Sequence, residues 1–222
     1  MKPASRSELA HFVDHTLLRP DATRQEITRL CAEARENKFH GVCVNGSRVE
    51  LAYSLLEDTE IKVTGMVGFP FGASDGDVKR YEAEGAIDNG AHEIEMVMNV
   101  GRLKDCDHAV ILRELRDIAE AADERIVKVV LEMSLLTPEQ IRLACELVQD
   151  SGVHFVCSGT VLGPAATSMN VQMLRKATDQ KFGVKAAGGV DDAVSAIAML
   201  EAGATRLGTS SGVKLIQSWS AS

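Results

Sequence analysis

Three side chains with chemistry to offer stand at the ends of short apolar runs: Lys185 in GVKAAGGV, Glu95 in EIEMVMN and Cys157 in FVCSGTV. A lysine amine there, followed by Gly188 and Gly189, whose backbone can come close to an anionic ligand, suits Schiff-base formation with a carbonyl. The same letters also describe a strand end where a solvated lysine precedes a glycine turn. Alternation along each run sorts the side chains. Ile94, Met96 and Met98 share one side of their run, which leaves Glu93, Glu95, Val97 and Asn99 on the other. Val127, Val129 and Leu131 oppose Lys128, Val130 and Glu132 in the same way, and Val184 and Ala186 flank Lys185. Two lysines and two or three carboxylates on inward faces read either as a buried ion-pair network or as catalytic groups whose pKa values are driven apart.

The elements that must hold these residues recur through the chain. A helical pattern, a glycine and a short β-branched run repeat in DNGAHEIEMVMNV, DSGVHFVCS, KFGVKAAGG and EAGATRLGTS, each glycine suiting a helix C-terminal turn. Strands are expected near 12–16, 41–45, 61–67, 92–98, 126–132, 153–158, 183–188 and 204–209. Thr23 with Glu26, and Thr137 with Pro138 and Gln140, mark helix starts between them. Ile141, Ala144, Cys145 and Val148, and later Ala193, Ala196, Ile197 and Leu200, fall on helical core faces. Eight strand–helix units in 222 residues predict an α/β fold, a single (β/α)8 TIM barrel over residues 1–222 with its site at the C-terminal ends of the strands. An open doubly wound sheet is the runner-up. The barrel puts His40, His92 and His154 at strand starts, away from that end, so no metal site is expected.

With 24 basic and 32 acidic residues the net charge is −8, which argues against nucleic acid or an anionic membrane as partner, though it leaves room for a local basic pocket. No stretch has the length and apolarity of a leader or a membrane span, so a cytoplasmic protein is expected. The five cysteines form no CxxC and are odd in number, which points to reduced thiols.

In order along the chain, VDHTLLRPDAT, GVCVN, GFPFGAS, EIEMVMNVG, VKVVLE, GVKAAGG and ATRLGTSSG resemble the deoxyribose-phosphate aldolase family, class I aldolases on a TIM barrel. The resemblance covers nearly the whole chain. It implies cleavage of deoxyribose 5-phosphate to glyceraldehyde 3-phosphate and acetaldehyde without a cofactor. It further implies Asp14 and Thr16 near the pocket, Cys43 beside it, Lys185 as the lysine that perturbs the reactive amine, and Gly188, Gly189, Ser210 and Ser211 as phosphate contacts. A phosphate there fits backbone N–H groups entering a helix, whereas the two serines alone also fit plain capping. A small carbonyl or phosphorylated sugar is the expected partner, in a homo-oligomer, a dimer. Three positions depart from the family: Cys157 stands where it carries the Schiff-base lysine, Glu95 where it has Asp, and Val161 where it has Gly in the phosphate loop.

Three functions stay open at this stage. An aldolase-type lyase would form its imine on Lys185, with burial and Lys128 lowering the amine pKa. A diverged enzyme would use Cys157 as a thiolate, its pKa lowered by the Lys185 ammonium, with Glu95 moving protons. A metabolite-binding relative would do neither, Cys157 then acting as a small hydrophobe.

Overall fold

The computed structural model describes residues 3–160 and 163–220. Eight parallel strands close into a barrel in sequence order: β1 Val13–Leu17, β2 Gly41–Asn45, β3 Lys62–Val67, β4 Glu93–Val97, β5 Ile126–Val130, β6 Phe155–Cys157, β7 Gly183–Ala187 and β8 Arg206–Thr209. The last pairs with the first, Val13 opposite Leu207. Outside it run α1 Arg6–Ala10, α2 Arg24–Asn37, α3 Val49–Leu56, α4 Gly76–Asp88, α5 Val100–Lys104, α6 His108–Ala121, α7 Pro138–Gln149, α8 Ser168–Ala177, α9 Ala193–Glu201 and α10 Gly212–Gln217. The barrel, not the open sheet, is therefore the architecture.

Both expected capping boxes form, Thr23 with Glu26 and Thr137 with Gln140, and two more start α8 (Thr167 with Asn170) and α9 (Asp192 with Ser195). The outer core packs strand faces such as Ile94, Met96, Val127, Val129, Val184 and Ala186 against helix faces such as Ile141, Ala144, Cys145 and Val148. Ile197 is only partly buried; Met199 takes the buried place beside Leu200. Three repeat glycines, Gly90, Gly152 and Gly203, adopt φ of 95°, 87° and 112°, the left-handed turn expected after a helix. Gly183 does not. It opens β7, and a Cβ there would lie 2.3 Å from the Phe155 ring, so a close approach explains it.

The histidines at the N-terminal end of the barrel have structural work. Nδ1 of His92 accepts the Val63 N–H at 3.0 Å, and Nδ1 of His154 accepts the Val127 N–H at 3.1 Å. Thr205 repeats the device, its Oγ1 accepting from Val184 at 3.1 Å. Each residue stands just before one strand and ties off a donor of the preceding strand, which satisfies the sheet where helices do not cover it.

Candidate active site

Inside the barrel the two-residue period places Asp14 and Thr16 on β1, Glu93, Glu95 and Val97 on β4, Lys128 and Val130 on β5, Cys157 on β6, Lys185 on β7 and Arg206 on β8. Lys128 and Lys185 are 0% and 1% exposed, and Asp14 is 0%. The Lys185 ammonium donates to Glu95 Oε2 at 2.5 Å and lies 2.9 Å from Asp14 Oδ2. Lys128 Nζ lies 2.9 Å from the same Asp14 oxygen, 2.6 Å from Glu93 Oε2 and 4.0 Å from Glu95. Arg206 reaches Asp14 Oδ1 at 3.1 Å, and Thr64 Oγ1 donates to Glu93 at 3.2 Å. Three carboxylates thus face three cations in a sealed interior. Such a network gains little stability over apolar filling. Its retention is more readily understood as chemistry.

Space is made for it residue by residue. A Cβ on Gly208 would meet Lys185 Cε at 2.8 Å, so the lysine stem crosses β8 only because position 208 has no side chain. His40 approaches Glu93 at 3.4 Å from the N-terminal end. Asp14, His40 and Glu93 bring ligand atoms within 4.8 Å of one another, but the Lys128 ammonium already bridges the two carboxylates, an arrangement suited to an ion pair and hostile to a metal cation.

Above the charges sits a separate apolar cluster of Leu18, Cys43, Met66, Val97, Val130 and Cys157, with Phe69 packed on it. A small cavity opens between this cluster and the rim. Thr16, Leu18, Met66, Glu95, Val130, Gly159, Thr160, Lys185, Ala187, Gly188 and Gly208 line it, and its volume is about 20 Å³, room for about one water. The structure therefore brings Lys185, Glu95, Thr16 and Gly188 together around one space. Asp14, Cys43 and Lys128 lie beneath its wall, buried. Gly189, Ser210 and Ser211 lie on the rim outside it, and Val161 is outside the described residues.

The electrostatics reverse two expectations. Burial alone disfavours the Lys185 ammonium, yet Asp14 and Glu95 outweigh it and hold the amine pKa well above its ordinary value. Burial likewise dominates at Cys157, and Glu95 adds to it; together they outweigh the Lys185 and Lys128 charges and push the thiol well above its usual range. Cys157 is 0% exposed and stays a protonated thiol, so it fills space. Asp14 is held well below the carboxylate range: burial opposes this, but Lys128, Lys185, Arg206 and His40 prevail.

One functional group was missed from the sequence, Arg206, and one was misplaced, Glu132. Arg206 obeys the same alternation as Lys185, with Leu207 outward, and that signal was available. Glu132 was expected inside the barrel on β5, but the strand ends at Val130 and Glu132 takes φ 47°, ψ 62°. This left-handed turn swings its carboxylate over β6, where it accepts the Thr160 N–H at 3.0 Å and hydroxyl at 2.7 Å. A glutamate seldom adopts that backbone, so nothing in its type announces the turn.

The sequence pattern of the DeoC/LacD family aldolases matches residues 9–218. A deoxyribose-phosphate aldolase of Thermoanaerobacter sp. (strain X514) is 44% identical over 215 residues, 95% of this chain and 96% of that protein. Deoxyribose-phosphate aldolase 1 of Bacillus licheniformis is 45% identical over 212 residues, 95% of each chain. Among solved structures, the tetrameric deoxyribose phosphate aldolase of Aeropyrum pernix superposes with a TM-score of 0.90 at 28% identity, covering 96% of this chain and 92% of that one.

Proposed function

The chain belongs to the DeoC/LacD family of aldolases, and from that premise we propose that it is an aldehyde-lyase that breaks or makes a carbon–carbon bond in a small sugar phosphate, with Lys185 as its imine-forming amine. One observation carries the assignment of the amine. Among the described residues Lys185 is the one lysine lining the cavity, and the proton acceptor it needs, Glu95, lies 2.5 Å away.

The ammonium must first lose a proton to become a nucleophile. Asp14 and Glu95 favour the charged form, so the proton crosses the short Lys185–Glu95 contact only as the carbonyl arrives to capture the free amine. The free amine then adds to the substrate carbonyl, and Glu95 returns its proton to the oxygen as water leaves and the imine forms. Glu95 then takes the β-hydroxyl proton as the bond beyond the α-carbon breaks, which releases an aldehyde and leaves an enamine; Glu95 returns that proton to the enamine carbon, and water hydrolyses the imine to regenerate the amine. Asp14 stabilises the positive nitrogen at each cationic stage. Gly188, with φ 92°, presents backbone to the substrate's far end, and Ser210 and Ser211 stand beyond it as candidate phosphate contacts. The family's substrate, deoxyribose 5-phosphate, is the first to assay.

Steady-state cleavage by Lys185→Met, Glu95→Gln and Cys157→Ser tests this. Lys185→Met is expected to abolish turnover, Glu95→Gln to lower kcat by about 10²–10⁴-fold, and Cys157→Ser to stay within about threefold of the parent. A loss in Cys157→Ser equal to that in Lys185→Met would transfer the chemistry to the thiol. We also propose that copies associate, as a homodimer, in the cytoplasm. Five free cysteines fit a reducing compartment, and no helix among the described residues is long and apolar enough to cross a membrane. Light scattering reads the assembly as one, two or four chains.

A further inference from the structure

Next to the reaction cavity the C-terminal rim holds a second depression, of about 200 Å³. The two share the wall made by Thr160. Pro70, Phe71, Val97, Val100 and Leu135 supply its apolar lining, and Glu132 and Ser134 its polar edge. Phe71 is 78% exposed and Leu135 54%. Single exposed apolar side chains are ordinary, but two from different loops that meet in one depression beside a reactive amine mark a binding surface.

Both residues are presented by fixed turns. Gly72 donates to Gly68 O at 2.8 Å, and a Cβ on Gly72 would lie 2.2 Å from Met98 O, so the turn carrying Phe71 is pressed directly on the end of β4. Leu135 closes the turn Met133–Leu135, its N–H donating to Glu132 O at 3.0 Å. Charge then narrows the occupant. Among the described residues no lysine or arginine lines this depression, whereas the Glu132 carboxylate does, which repels a phosphate or carboxylate ligand. Size narrows it again: an apolar cavity of roughly 150 Å³ accepts benzene.

We propose that this groove is an acceptor subsite for the uncharged, apolar end of an aldehyde, a phenyl ring or short alkyl chain, whose carbonyl reaches Lys185 past Thr160. The inference rests on the Lys185 lyase reading and concerns the condensation direction. There a donor carbonyl forms the imine with loss of water and gives up an α-proton to become an enamine. The enamine carbon attacks the acceptor carbonyl, the new alkoxide takes a proton, and water then hydrolyses the imine to release product and amine.

The test measures kcat/KM for 3-phenylpropanal and for propanal as acceptors, with acetaldehyde as donor, in the parent, Phe71→Ser and Leu135→Ser. The expected result is a parent preference for the phenyl acceptor that falls about tenfold in each variant, the size of effect that an apolar contact of this kind gives. Turnover of both acceptors with an unchanged ratio would overturn the subsite. So would an unchanged ratio with a lower mass by light scattering, which would make the groove a face for self-association. If the parent turns over neither acceptor, cleavage of deoxyribose 5-phosphate judges the lyase reading separately, and the groove is judged by saturation-transfer NMR with 2-phenylethanol. Transfer lost in Phe71→Ser supports the site; equal transfer in both proteins overturns it.

Discussion

A lysine introduced at 157 would enter a position that is 0% exposed, paired in register with Lys185 and sharing its interior with Lys128. The three carboxylates there are already matched by three cations, so a fourth cation would have no partner. Desolvation and two like charges would push its pKa down and leave a free amine, the reactive form. Cys157→Lys is therefore expected to cleave deoxyribose 5-phosphate at least about tenfold faster than the parent, the gain being held back because Glu95 is placed to serve Lys185. No gain in a variant that keeps the parent's thermal midpoint would mean that the cavity no longer accepts the family's substrate. At this scale Glu95, Lys128 and Lys185 were legible because strand side chains alternate strictly, and Arg206 was legible by the same rule. The state of the Cys157 thiol was not. Sequence shows which charges are near a thiol, but the depth of burial, which decides its pKa, appears only in the fold.

Between elements, the Lys79–Glu114 pair ties α4 to α6. Lys79 Nζ donates to Glu114 Oε1 at 2.8 Å and to Val97 O, at the end of β4, at 3.0 Å, with both side chains buried. Burial lowers the Lys79 pKa and raises that of Glu114, in each case outweighing the partner's pull, so the attraction does not recover the desolvation. Lys79→Met alone is expected to cost about 3–5 kcal/mol by stranding a buried carboxylate. Lys79→Met with Glu114→Leu should come within about 1 kcal/mol of the parent in urea unfolding. A double variant as weak as the single one would show that the bond to Val97 O matters more than the charge pair. Helix starts were readable from Thr23 and Thr137, whose capping chemistry is local. The role of Gly183 was not, because the ring that requires it belongs to the neighbouring strand, 28 residues away in sequence terms from Phe155 to Gly183.

For the whole molecule, the interior charges set the pH range of stability. Asp14 and Glu93 have folded pKa values below their unfolded ones, so the stability they contribute is present above about pH 4–5 and is lost as pH falls toward the folded values. Lys128 and Lys185 are raised, so their contribution is present below about pH 10 and is lost as pH rises through the folded values. Urea midpoints are expected to be level from about pH 5 to 9 and to fall on both sides; a midpoint that rises below pH 4 would contradict the network. The barrel itself was legible from eight repeats of helix, glycine and strand, whereas the closure that seals six charges inside it needed the register of β1 against β8. Which nitrogen forms the imine decides the chemistry of this site. Borohydride reduction in the presence of acetaldehyde, followed by intact mass and peptide mapping, reads this directly. One added ethyl group is expected on the peptide carrying Lys185, lost in Lys185→Met; no adduct, or an adduct on any other lysine, would contradict Lys185 as the imine-forming amine.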